Sequence, residues 1–349
     1  MASKSGIRLG IVGMRLGLWH AGAIAEIDGV SIAAVADNHQ GKLPGPDISL
    51  TEWAKSLDAD AYTDGVEMIN NADIDAVDLC VSPKWRLPLV EAAAARGLPV
   101  LLEKPWGTNM AHGRALADVI HRSKLLHMVE FPLRYFPPII ALKALLDDGP
   151  IGRPLVVNAE IVMGAAPAKM PAHWMWDPDN GNGVVNENTC HVFDTISYLL
   201  GAPVSLHAFG ANFHGASASL PDGIVANIRF ESGAVASVTG GALGADALRT
   251  PTWLDVYAET GQALVTGIDH MYDTLTWGRF DDKGEPTRQH WPNPPLRTLI
   301  VRYAIETFVN AVRTGAQPES DADAGLKALA LAMAVNESVA SGEPVDLRR

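Results

Sequence analysis

Short, unbroken apolar runs alternate with helix-like stretches through the first third of the chain, and that rhythm constrains the fold most. Ile7–Val12 (IRLGIV) reads as a buried strand ending at Gly13, and Val30–Ala36 (VSIAAVA) as a second. Residues 74–81 (IDAVDLCV) and 99–102 read as a third and a fourth. Helices fit residues 19–27, 87–95 and 111–122, with Gly97 placed as a C-terminal stop to the second of them. Strands apolar on both faces must be covered on both faces, so the pattern predicts βαβ units and a parallel sheet.

The rhythm changes after about Val129. Residues 155–163, 204–213, 223–230, 234–239, 253–258 and 262–266 are strand-like, and several alternate apolar with polar positions. They follow one another through turns such as Ser232-Gly233 and Thr260-Gly261, which predicts a mostly antiparallel sheet in an α+β domain. One helix over Cys190–Leu200 interrupts them, and two more, over 298–313 and 322–341, close the chain. The expected division is 1–129, an α/β doubly wound Rossmann domain, and 130–349, an α+β domain with a large open sheet. The loop 41–49 and the Pro-rich stretch 292–295 read as local turns.

Composition removes other classes. Of the 349 residues, 48% are hydrophobic and 19% charged, enough for packed cores and unlike a disordered chain. A net charge of −13 without a basic stripe argues against binding nucleic acid or an anionic membrane surface. Two cysteines, Cys80 and Cys190, with no Cys/His zinc spacing, argue against a disulfide framework or a metal centre. No apolar run approaches the ~18 residues of a membrane span, and no export signal is read over Met1–Gly6. A reducing cytoplasm is the expected setting.

The turn after the first strand, Gly13-Met14-Arg15-Leu16-Gly17, opens a helix, where backbone N–H groups meet a dinucleotide pyrophosphate. Its glycines are four apart and Arg15 stands at the middle glycine position, so the pattern alone also suits a plain tight turn. Arg15 either contacts the pyrophosphate or faces solvent. Asp37 ends the second strand 24 residues after Gly13, near the ~20-residue offset at which an acid binds the adenosine ribose. A carboxylate there repels a 2′-phosphate and favours NAD over NADP; otherwise Asp37 is a strand-ending turn acid.

Glu103-Lys104-Pro105 ends the fourth strand, at the sheet edge where ligands gather. Alone, Lys104 would read as a solvated surface lysine. In context the tripeptide resembles the E-K-P motif of the glucose–fructose oxidoreductase, inositol 2-dehydrogenase and rhizopine-catabolism (Gfo/Idh/MocA) oxidoreductases. Ser82-Pro83, Ala-Ala-Ala-Arg-Gly at 93–97 and Thr108 match its surroundings. Residues 131–137 (FPLRYFP), Gly149-Pro150-Ile151-Gly152, the loop Trp174-Met175-Trp176-Asp177-Pro178 with Gly181-Asn182-Gly183, and residues 308–315 and 322–345 extend the resemblance along nearly the whole chain. It implies an NAD(P)-binding first domain contacting cofactor through residues 13–17, Asp37, Ser82, Pro83, Glu103 and Lys104. It also implies a cis Lys–Pro peptide, a lysine in the active site, and a second domain for substrate binding and oligomerisation.

Residues 187–194 (ENTCHVFD) are similar to the family's D-x-G-x-H-x-x-D, with Glu187 for the first acid and Thr189 for the glycine. On one helix, Glu187 and His191 would share a face, and His191 would neighbour Asp194. Read on its own, His191 suits a buried helix histidine bonded to Asp194. The resemblance implies instead a proton-handling cluster. His191 is then the base, Lys104 a donor to the substrate oxygen, and Glu187 a carboxylate orienting substrate or His191. The reaction implied is hydride transfer between nicotinamide and a hydroxyl carbon of a sugar, sugar acid, glycoside or inositol.

Arg86, Arg134, Trp174, Trp176 and Asn188 are candidate substrate contacts, each with a plain packing or surface alternative. His20 suits a structural role at the strand–helix junction as well as ligand contact. His173, Glu187, His191 and Asp194 fit no tight metal-ligand spacing. Two other functions stand beside the dehydrogenase: redox-neutral glycoside cleavage with retained NAD, and a non-catalytic NAD-binding sensor. The resemblance implies a homodimer or homotetramer.

Overall fold

The computed structural model describes residues 6–348 apart from 40, 41, 46, 148, 249–250 and 293–300. It divides into two compact units, and no described helix is long and apolar enough to cross a membrane.

The first unit comprises the described residues of 1–107, 111–130 and 294–325. Its elements in order are β1 (Ile7–Val12), α1 (Met14–Ile24), β2 (Val30–Ala36), α2 (Leu50–Ser56), β3 (Asp60–Tyr62), α3 (Gly65–Asn71), β4 (Ala76–Leu79), α4 (Arg86–Arg96), β5 (Val100–Glu103), α5 (Met110–Ser123) and β6 (His127–Glu130). The six strands form one parallel sheet in the order β3-β2-β1-β4-β5-β6, the doubly wound arrangement expected. Strands β4, β5 and β6 are buried throughout, which explains apolar runs such as those of β4 and β5.

Helix α1 starts at Met14, five residues before the expected start at 19. A single residue, Gly13 at φ 92°, makes the whole turn, so Gly17 already lies inside the helix. A Cβ at Gly17 would sit 2.9 Å from Ile11 Cγ2, so this glycine lets α1 lie close on β1. The four-residue glycine spacing is thus a shortened turn. Elements α2, β3 and α3 were not legible; they are short, and their starts rest on Ser49 and Asp64 caps.

The second unit comprises the described residues of 108–110, 131–293 and 326–349. It holds α6 (Pro137–Asp147), β7 (Pro154–Gly164), α7 (Gly183–Glu187), α8 (Cys190–Leu200), β8 (Pro203–Ala211), β9 (Gly223–Phe230), β10 (Val235–Gly244), β11 (Pro251–Ala258), β12 (Gly261–Ile268), β13 (Met271–Arg279) and β14 (Thr287–His290). Helix α9 (Arg302–Thr314) joins the first unit, against α1 and β6, and α10 (Ala322–Ser341) and β15 (Val345–Asp346) complete the chain. Of the helix expected over 298–313, residues 298–300 lie outside the described residues, as do 293–295 of the Pro-rich stretch.

Nine strands form a sheet ordered β14-β13-β12-β11-β7-β10-β9-β8-β15, antiparallel except between β7 and β10. Alternation along β9 buries Ile224, Ala226, Ile228 and Phe230 and leaves Val225, Asn227 and Arg229 outside. Helices α6, α7 and α8 pack on the sheet. Exposed Val225, Val235, Tyr257 and Leu264 give it an apolar outer surface.

Candidate active site

In the first unit, the loop after β1 borders a cavity of about 330 Å³ lined by Gly13, Arg15, Asp37, Asn38, Ser82 and Trp85, among others. A Cβ on Gly13 would lie 2.7 Å from the Cys80 carbonyl oxygen, so the turn fits glycine alone. That bare backbone, at the start of a helix and at the carboxyl ends of β1, β2 and β4, fits a dinucleotide pyrophosphate. Gly13→Ala is expected to weaken NADH binding more than tenfold and to cost about 1–3 kcal/mol of stability. Fluorescence titration and urea unfolding measure the two.

Asp37 caps α1 from outside the helix. Its Oδ2 accepts from Met14 N at 2.6 Å and its Oδ1 from His39 N at 2.8 Å. Each oxygen keeps a second lone pair for a ribose hydroxyl. Met14, expected at the cofactor, gives its N–H to Asp37 and buries its side chain in the core. Leu16 faces a separate, larger and more apolar cavity with Trp19 and Trp53. Ser82 reaches the dinucleotide cavity, whereas Pro83 is buried at the start of a short turn.

The Lys104–Pro105 peptide is cis. Glu103, expected at the cofactor, turns inward: it is 3% exposed and its Oε1 lies 3.0 Å from His20 Nε2. His20 Nδ1 lies 2.8 Å from Asp78 Oδ2 on β4. Arg86, expected at the substrate, is likewise buried. It donates to the carbonyl oxygens of Val81, Lys104 and Pro105, bracing the turn that carries the lysine. A guanidinium sequestered among carbonyls is committed to that scaffold.

In the second unit the expected single helix through 187–191 is broken. Glu187 ends α7, and the Val184 carbonyl accepts from both Asn188 N and Thr189 N before α8 begins at Cys190. The bond from Thr189 spans five residues, so Glu187 and His191 are not related by a regular helical turn. His191 lies in the first turn of α8, half-buried, with the Phe131 ring edge-on at 6.5 Å. Asp194, expected beside His191, gives its two oxygens to Arg134: Nε donates to Oδ2 at 2.7 Å and Nη2 donates to Oδ1. Arg134, a candidate substrate contact, is therefore a buried ion-pair partner. Its guanidinium also stacks on Tyr198 at 4.7 Å, and Asp194 holds it charged.

Thr189 occupies the motif's glycine position because β10 gives way: a Cβ on Gly240 would lie 2.6 Å from the Thr189 side chain. Asn188 is buried, with its amide nitrogen lacking a hydrogen-bond partner among the described residues. Trp176 is buried and donates to the Pro167 carbonyl at 3.0 Å, a packing role; Trp174 is half-exposed against His173. Asn182, in left-handed conformation, donates to Thr108 O at 2.8 Å, and Asn186 donates to Gly181 O, folding the tryptophan loop onto α7. Asp78, Glu130, Phe131 and Asn186 were missed. Acids inside otherwise buried strands were the available signal for the first two.

Family models match both halves of the chain. "Oxidoreductase family, NAD-binding Rossmann fold" covers residues 7–131, and "GFO/IDH/MocA C-terminal domain" covers 139–264. The chain belongs to the Gfo/Idh/MocA family. This Gfo/Idh/MocA chain is therefore an oxidoreductase with an NAD-binding Rossmann domain. It is 25% identical to myo-inositol 2-dehydrogenase of Thermotoga maritima over 98% of each chain. It is also 25% identical to scyllo-inositol 2-dehydrogenase (NAD(+)) of Bacillus subtilis over 98% of this chain and 96% of that one. A solved levoglucosan dehydrogenase shares the fold, with a TM-score of 0.86 at 20% identity over 99% and 100% of the two chains. Neither redox-neutral cleavage nor a sensor role draws support from these relatives.

Proposed function

We propose that this oxidoreductase moves hydride between NAD and a hydroxyl-bearing carbon of a sugar, sugar acid, glycoside or inositol. The observation that carries the reading is the end-to-end likeness to inositol 2-dehydrogenases, in a chain that keeps Lys104 directly after β5. The levoglucosan dehydrogenase of the same fold, solved with NADH and levoglucosan, supports a sugar-like substrate.

Bound NAD supplies the hydride acceptor. The N–H groups of Arg15 and Leu16, in the first turn of α1, would hold the pyrophosphate over the bare Gly13, since Met14 N is taken by Asp37. Asp37 accepts the ribose hydroxyls and repels a 2′-phosphate, which sets NAD above NADP. Lys104 donates a hydrogen bond to the substrate oxygen and stabilises the alkoxide as the hydroxyl proton leaves. His191 takes that proton on a ring nitrogen, its plane set by the edge of Phe131. Glu187 orients substrate or imidazole, Asn188 offers its amide, and Trp174 offers a ring face to the sugar.

The first domain thus holds cofactor and the second holds substrate. The apolar outer surface of the nine-stranded sheet suits pairing between copies, as homodimer or homotetramer. Cys80 and Cys190, both buried and outside any disulfide, suit a reducing cytoplasm.

The test follows nicotinamide absorbance with NAD or NADP against myo-inositol, scyllo-inositol, levoglucosan and a panel of sugar acids. NADH should accumulate with at least one polyol, with NAD preferred. Release of an aglycone without lasting NADH, or tighter binding of NADPH than NADH, would overturn the reaction or the Asp37 role respectively.

A further inference from the structure

Beneath the Lys104 turn lies a buried cluster that the proposed reaction does not use. Three neighbouring parallel strands each bring an acid to it: Asp78 on β4, Glu103 at the end of β5, and Glu130, paired in register with Glu103, at the end of β6. His20 reaches in from α1 with no exposure at all. The Cys80 thiol donates to Asp78 Oδ1 at 3.4 Å. A carboxylate only accepts hydrogen bonds, so an imidazole lying between two ionised carboxylates donates from both ring nitrogens.

We infer that His20 is a positioning residue: by donating to Asp78 and Glu103 together it ties the ends of β4 and β5 to α1. The Ser82–Pro83 turn and the Lys104–Pro105 turn, which continue from those two strands, thereby keep one spacing. The inference rests on the Lys104 role proposed above.

The electrostatics agree with the geometry. Burial pushes the His20 imidazole towards neutrality, but Asp78 and Cys80 together outweigh it and raise the group well above its ordinary range. Burial would raise Glu103, yet His20, Lys104 and Arg86 bring it below the usual carboxylate value. Burial and Glu103 raise Glu130 well above the usual carboxylate value. Cys80, raised by burial and Asp78, stays a thiol, which suits a hydrogen-bonded ion pair better than a metal ligand set. Two carboxylates therefore share one imidazolium, with Lys104 and Arg86 adding positive charge near Glu103. Without His20, Glu103 would lose its hydrogen-bonded cation and shift towards the neutral form.

Linkage gives the pH sign. The folded imidazole binds its proton more tightly than the unfolded one. Its stabilisation is full below about pH 6.5 and is lost as pH rises through the folded value. Glu130, raised in the fold, acts in the same direction from about pH 4.5 upwards.

The experiment compares His20→Asn, His20→Gln and Glu103→Gln in the full chain. It measures NADH affinity, melting temperature from about pH 6 to 9, and kcat and KM with whichever of myo-inositol or levoglucosan is turned over. Asn can keep the donor facing Asp78, and Gln the donor facing Glu103. The expected result is a kcat loss of about 10–100-fold in His20→Asn with KM and NADH affinity within about threefold. His20→Gln should lose less, and the fall in melting temperature with rising pH should be shallower in both. The double variant His20→Gln/Glu103→Gln should be no slower than the slower of the two single variants, because either change alone already breaks the tie between β4 and β5. A wild-type kcat in His20→Asn overturns the inference. So do equal losses in Asn and Gln that track melting temperature, or, if Asn does not fold, an additive double variant. Lys104→Ala with full turnover would sink the reaction reading instead, so the two failures are distinguishable.

Discussion

Lys104→Ala is expected to lower kcat by about 10²–10³-fold while NADH affinity stays within about threefold. Charge develops on the substrate oxygen as hydride departs, and a fixed ammonium opposite that oxygen is worth more in the transition state than in the ground state. The lysine sits where scaffold effort is concentrated. Arg86 spends its guanidinium on the carbonyl oxygens of Val81, Lys104 and Pro105, and Glu103 is anchored beneath. Lys104→Arg should not restore the rate, since a planar fork cannot replace a compact ammonium in a braced turn. His191→Ala should cost about 10²–10⁴-fold, with a flattened acid limb in the pH profile of kcat. Steady-state kinetics and NADH titration on both variants measure this. Undiminished turnover in both would remove the two groups from the chemistry.

Arg134→Ala is expected to destabilise the second unit by about 3–5 kcal/mol, because it strands the Asp194 carboxylate in the interior. Asp194 is 1% exposed and its two oxygens are committed to this guanidinium. Replacing both partners with apolar residues, Arg134→Met with Asp194→Leu, should recover most of the loss. Urea unfolding of the three variants gives the comparison. An equal cost for the double and single variants would mean that packing against Tyr198, rather than charge, holds the pair.

The strands of the first unit were legible because burial on both faces forces unbroken apolar runs, and Ile7–Val12 and Val30–Ala36 emerge with the expected bounds. Helix α6 was not, although Pro137 and Pro138 open it and proline is well suited to a first helical turn. Strands β13 and β14 were missed as well; β14 is exposed throughout and offers no apolar signal. At the candidate site, local motifs singled out Gly13, Asp37, Lys104 and His191. What they could not give was the commitment of each side chain. Arg86, Glu103, Arg134 and Asp194 carry charge that looks available in sequence, and each is consumed by a partner 18 to 83 residues away. Such pairings belong to tertiary packing and leave no periodic trace.

The position of β7 in the middle of the second sheet bears on synthesis. This strand is made first among the nine, yet its neighbours are β10 and β11, which follow roughly 70 to 100 residues later. A nascent chain must therefore carry an eleven-residue strand with both edges unsatisfied until those neighbours leave the ribosome. Helix α9, near the far end of the chain, then returns to the unit that was translated first. A ribosome stalled before residue 302 would hold two unfinished bodies, the first lacking α9 and the second lacking β15 and most of α10.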